Sequence, residues 1–130
     1  MLNVLLAPLC AGEVMPTPSL AELQAAAALV HTHMPPTPQM AWPLLKARLG
    51  VEVVVKHENH TPTGAFKVRG GFVYMQKYAE AEKARVPGQN TPRGVISATR
   101  GNHGQSIALA GAKFGVPVTI VVPRGNSREK

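Results

Sequence analysis

The sequence predicts an α/β fold, a parallel sheet with flanking helices. Three short runs rich in β-branched and apolar residues, 51–56, 94–99 and 118–122, alternate with segments of helical periodicity. Strand, helix, strand, helix, strand in that order implies right-handed crossovers and parallel pairing. A hydrophobic content of 45% over 130 residues is enough for a packed core and far from the composition of a disordered chain.

The elements follow in chain order. Residues 1–15 begin with the apolar MLNVLLAPLC, which lacks a charged n-region and is too short to cross a bilayer. They are expected to be a poorly structured leader or an extension of the start site, with Met15 as the natural start. Beyond Pro16 and Pro18, Ser19 and Glu22 have capping-box spacing, and Leu20, Leu23, Ala27 and Val30 carry a helical stripe to about His33. Pro35, Pro36, Pro38 and Pro43 then demand an extended connector. A short helix over 42–49 ends at Gly50. The run 51–56 reads as a strand with at least one well-buried face, 58–64 as a loop and 65–83 as a helix. Residues 88–92 form a turn-rich linker before the second strand. Residues 100–104 are a tight glycine-bounded turn, 105–114 a helix stopped by Gly115 and Pro117, and 118–122 a third strand closed by Pro123.

Composition excludes several functions. All seven acidic residues are Glu, so an Asp-led calcium loop, a Walker-B magnesium aspartate and a triad requiring Asp are ruled out. The net charge of +7 comes from scattered Lys and Arg with few aromatics between them, which points to a solvated basic surface and no nucleic-acid partner. Cys10 is the single cysteine, so no intramolecular disulfide or Cys-based zinc site can form, and a reducing, cytoplasmic setting is expected. His31 with His33, and His57 with His60, lack an evident third ligand, and no metal and no membrane association are expected.

Two segments carry candidate chemistry, both at the carboxyl ends of strands, where ligands bind in such sheets. In Pro62-Thr-Gly-Ala-Phe-Lys-Val-Arg-Gly70, Lys67 falls in the first turn of a helix, whose amino end already carries partial positive charge. Amide dipoles and a neighbouring Arg69 disfavour an ammonium there, as an amine nucleophile or Schiff-base lysine requires. Gly64 allows close backbone approach, and Gly70 with Gly71 leaves a bare helix face that can pack tightly. A plain surface lysine fits the same spacing. In Ser97-Ala-Thr-Arg-Gly-Asn-His-Gly-Gln105, glycines at a strand-to-helix turn expose amides suited to a carboxylate or phosphate, with Asn102 as a directional donor and His103 as acid, base or cap. A turn that merely needs glycine is the alternative, and the G-x-G-x-x-G dinucleotide spacing is absent.

Taken together, Lys56-x-Glu58-Asn59, Pro62-Thr63-Gly64-Ala65-Phe66-Lys67-x-Arg69-Gly70 and Gly101-Asn102-His103-Gly104-Gln105 resemble the fold-type-II pyridoxal-phosphate enzymes, most closely the threonine/serine dehydratase family. The resemblance covers about residues 19–130 and implies the amino-terminal part of the tryptophan-synthase-beta-like fold. It implies Lys67 as the residue that binds pyridoxal 5'-phosphate covalently and shuttles the substrate α-proton, Phe66 against the cofactor ring and Asn102 on its 3-hydroxyl oxygen. Thr99, Gly101 and His103 would receive the carboxylate of an amino-acid substrate. The implied reaction converts a β-hydroxy amino acid, of threonine or serine type, to a 2-oxo acid and ammonia. Other β-elimination or β-replacement chemistry of the same family is the nearest alternative.

Two departures stand out. Ala65 replaces a serine frequent in the family, and Arg100 stands where serine-racemizing relatives carry a serine, which argues against racemization and for an unusual or anionic substrate. Residues 16–130 are expected to be a partial domain: family members run more than twice as far, and the glycine-rich phosphate loop is missing. The 130-residue chain alone is therefore expected to bind the cofactor weakly and turn over negligibly, as a non-catalytic fragment of a homo-oligomeric enzyme would.

Overall fold

The structure is a computed structural model that describes residues 17–84 and 94–127. The expected leader at 1–15 and linker at 88–92 lie outside the described residues. Helix α1, Leu20–His33, opens on the capping box the sequence predicts. The Glu22 amide donates to Ser19 Oγ at 3.3 Å, and the Glu22 carboxylate accepts from the Ser19 amide at 2.8 Å.

The proline-rich connector that follows does more than link. Its extended backbone supplies β1, Gln39–Ala41, before Pro43 at the first helical position starts α2, Pro43–Leu49. Gly50, at φ 72°, ends that helix in the left-handed conformation glycine tolerates best. Strand β2, Val54–Lys56, then pairs antiparallel with β1, Met40 lying opposite Val55, and the His57 amide extends the ladder to the Pro38 carbonyl at 2.9 Å. This corrects two expectations. The first predicted strand does not join the parallel sheet, because the prolines hold a nearer extended segment beside it. Nor has it a well-buried face: Val54 is 60% exposed, and Val53 and Val55 on the other side are only half-buried.

A 3-10 turn, Glu58–His60, leads towards α3, Val68–Lys83. The parallel pair consists of β3, Val95–Ala98, and β4, Val118–Val121, with α4, Asn102–Phe114, between them in sequence. Val95 lies opposite Val118 and Ala98 opposite Val121. The α/β class and the parallel sheet with flanking helices stand, with two parallel strands rather than three among the described residues.

Val68, Phe72 and Met75 recur at helical spacing on α3 and are at most 1% exposed. They pack with Ile107 and Ala110 of α4 and with Val30 and Met34 from the end of α1. Burying Phe72 alone contributes about 1.5–3 kcal/mol. His33 caps this core, its ring 4.8 Å from that of Phe72 and edge-on to Phe114 at 5.1 Å. At Gly111 a Cβ would collide with the Val118 side chain and lie 2.9 Å from the Val116 carbonyl oxygen, so glycine lets α4 close onto β4. The Tyr78 hydroxyl joins the end of α3 to the start of β3, accepting from the Gly94 amide and donating to the Gly94 carbonyl, both at 3.0 Å.

Candidate active site

Lys67 owes its position to the turn before α3. Thr61 is buried, and its hydroxyl oxygen accepts from the Ala65 amide and donates to the Ala65 carbonyl, each at 2.8 Å. Gly64 sits inside this bracket at φ 65° with open space where a Cβ would be. Among the described residues its role is the left-handed turn. The bracketed turn consumes residues 61–65, so α3 begins at Val68, three residues later than predicted, and Lys67 is its N-cap.

The residue beside it corrects a further expectation. Arg69 was expected to act on Lys67; its guanidinium is instead paired with Glu58, through Nε to Oε2 at 2.8 Å and a second nitrogen to Oε1 at 2.9 Å. The buried Thr37 hydroxyl donates to the same carboxylate at 2.6 Å, and Lys56 Nζ stands 3.7 Å away. The Arg69 hydrogen bonds hold the Glu58 carboxyl down at about 2, Thr37 and Lys56 adding to the effect, and Glu58 in turn raises Arg69. The network ties the connector, β2 and the 3-10 turn to the first turn of α3.

The opposite wall comes from the end of β3. The Thr99 amide continues the parallel ladder to the Val121 carbonyl at 3.0 Å, and the Thr99 hydroxyl accepts from the Gly101 amide at 3.2 Å. A Cβ on Gly104 would lie 2.5 Å from Thr99 Cγ2 and 3.1 Å from Ile120 Cγ2, so glycine seats α4 directly on the strand ends. Helix α4 therefore starts at Asn102, not Gln105, and its first turn carries both Asn102 and His103.

Between the walls lies a mostly apolar cleft of about 660 Å³, onto which Phe66, Lys67 and His103 open. Three of the six predicted site residues thus come together from two distant motifs. Thr99, Gly101 and Asn102 form the corner leading to His103 but are not among the lining residues. Ser97, Tyr74 and Ser106 line the cleft without having been singled out. Ser106 had only a faint signal, a hydroxyl among the apolar residues of α4. Its side chain is 1% exposed and donates to the Lys67 carbonyl at 2.7 Å.

The cleft fits a flat heteroaromatic aldehyde with a small amino acid beside it. Its volume is within the range of small-molecule sites, roughly 300–1,000 Å³, its lining is apolar, and a primary amine opens onto it. Gly70 leaves part of its wall bare: a Cβ there would meet no protein atom.

The family model described as pyridoxal-phosphate dependent enzyme matches residues 30–130. The chain belongs to this family. Among similar proteins, the L-threonine ammonia-lyase of Thermotoga maritima is 43% identical over 75 residues, which are 58% of this chain and 17% of that protein. The L-threo-3-hydroxyaspartate ammonia-lyase of Saccharomyces cerevisiae is 32% identical over 109 residues, 84% of this chain and 31% of the relative. The crystal structure of a pyridoxal 5'-phosphate-dependent aspartate racemase superposes with a TM-score of 0.75 at 27% identity, covering 89% of this chain and 35% of that one. The chain thus spans less than a third of the curated relatives it matches here. The recognition of a pyridoxal-phosphate-dependent enzyme holds, with threonine ammonia-lyases and dehydratases among the similar proteins, and the family's cofactor is the one the motifs imply. Among the described residues no helix is long and apolar enough to cross a membrane, and no group of three or more His, Cys, Asp or Glu gathers for a metal ion.

Proposed function

We propose that this chain carries the lysine centre of a pyridoxal-phosphate-dependent ammonia-lyase that dehydrates a β-hydroxy amino acid, of threonine or serine type, to a 2-oxo acid and ammonia. The observation that supports it is the meeting of Phe66, Lys67 and His103 in one apolar cleft. Bound pyridoxal phosphate would supply the electron sink for a carbanion at the substrate α-carbon. Lys67 Nζ would hold the cofactor and then take the α-proton, from an N-cap fixed by the Thr61 turn on one side and by α4 on the other. Phe66, 62% exposed, offers an apolar surface to the ring. Asn102 and His103 share the first turn of α4, where backbone amides favour negative charge, so the ring 3-oxygen and the substrate carboxylate would both be met from that turn, with Thr99 and Gly101 at its entry.

Exposed Arg100, next to Gly101, favours a second substrate class, a β-hydroxy amino acid with an additional carboxylate. A relative acting on 3-hydroxyaspartate supports it. Titration of the purified chain with pyridoxal phosphate tests the central role: a visible absorbance band is expected, weak in affinity and lost in Lys67→Ala. Absence of any Lys67-dependent adduct overturns it.

A further inference from the structure

Ser106 sits on α4 three residues beyond His103 and four beyond Asn102, so all three project from neighbouring positions on the helix surface. A serine inside a helix commonly returns its proton to a carbonyl of its own preceding turn. Ser106 instead donates across the helix pair, to the main-chain carbonyl of Lys67 at 2.7 Å. That carbonyl also accepts from the Gly71 amide at 3.1 Å, so it would keep a partner without the hydroxyl. Satisfying that backbone oxygen therefore does not require Ser106.

Gly71 makes the contact possible. A Cβ at that position would collide with Ser106 Oγ and approach the Ser106 carbonyl oxygen to 3.0 Å. Two helices are thus brought together by a missing side chain on one and joined by a hydroxyl on the other, at the residue bearing the amine.

We infer that Ser106 is a positioning residue: by donating to the Lys67 carbonyl, it fixes the amine-bearing turn against the Asn102–His103 turn of α4. This rests on the role given to Lys67 above. A ligand held by both turns gains affinity when their spacing is set beforehand, because ordering them on binding costs free energy. A serine present only for packing would be replaced by alanine with no effect on that gain.

The test uses the full chain and the Lys67-dependent visible band as a binding isotherm for pyridoxal phosphate, with thermal melts run alongside. Ser106→Ala is expected to weaken binding roughly three- to ten-fold, the loss of about one hydrogen bond. Ala110→Gly, which loosens the buried face of α4 outside the cleft, is expected to melt lower yet bind as the wild type does. Ser106→Cys keeps the shape but donates poorly, and is expected between alanine and wild type. If Ser106→Ala does not fold, the cysteine variant decides: weaker binding supports the role and wild-type binding overturns it. Equal binding by Ser106→Ala and wild type, or equal weakening by Ala110→Gly, overturns the inference while leaving Lys67 in place. A wild-type chain with no band removes both.

Discussion

Around the parallel pair β3–β4, helices α3 and α4 bury Val68, Phe72 and Met75 almost completely, whereas around the antiparallel pair β1–β2, Leu44, Val51 and Val54 are 85, 60 and 60% exposed. The first region is held by apolar packing, the second by the ion pair of Glu58 with Arg69 and the hydroxyl of Thr37. Lys67 lies at the junction, two residues from the polar clamp and one from the core residue Val68. The difference teaches that the two regions flanking the amine are held by different interactions, so each can be perturbed while the other is followed.

The largest effect belongs to the packed region. Phe72→Ala should cost about 3–5 kcal/mol in global stability, read from the denaturant midpoint; a small loss would mean that α3 and α4 are held by something other than this core. Glu58→Gln is the corresponding cut in the polar region, with an expected cost on the order of 1–3 kcal/mol. Its pH dependence sharpens the comparison. The Glu58 carboxyl is lowered from its ordinary 4.5 to about 2 in the folded chain, so its contribution is complete above 4.5 and lost as the pH falls towards 2. The wild type should lose stability relative to Glu58→Gln across that window, and parallel pH profiles would show that the clamp contributes nothing. Leu44→Ser, on the exposed face of α2, should change stability by less than about 0.5 kcal/mol; a large loss would show that the antiparallel region has a core of its own.

Local signals that rest on neighbouring residues were legible in the sequence. The Ser19–Glu22 capping box, the Gly50 end of α2, and the strand-turn-helix at 95–114 each follow from residues a few positions apart. The membership of 51–56 was not legible, because a short β-branched run carries no record of which strand it pairs with; the prolines that supplied β1 were taken only as breakers. At the site, Lys67 and His103 were found because their motifs have fixed spacing. Arg69 was misassigned because the spacing that puts it near Lys67 says nothing about Glu58, eleven positions back. Ser106 escaped because its partner is a backbone oxygen, 39 residues away, and main-chain acceptors leave no trace in composition or pattern.

Gly70 and Gly71 are adjacent in sequence and opposite in what they forgo. Gly71 is occupied by a neighbour, and any larger residue would displace Ser106. Gly70 faces vacant space, so a methyl group there would touch no protein atom and would add helix propensity, worth up to ~1 kcal/mol in a helix interior and less in a first turn. The bare position leaves one stretch of the cleft wall without a side chain, flat enough for a planar molecule to lie against the helix backbone.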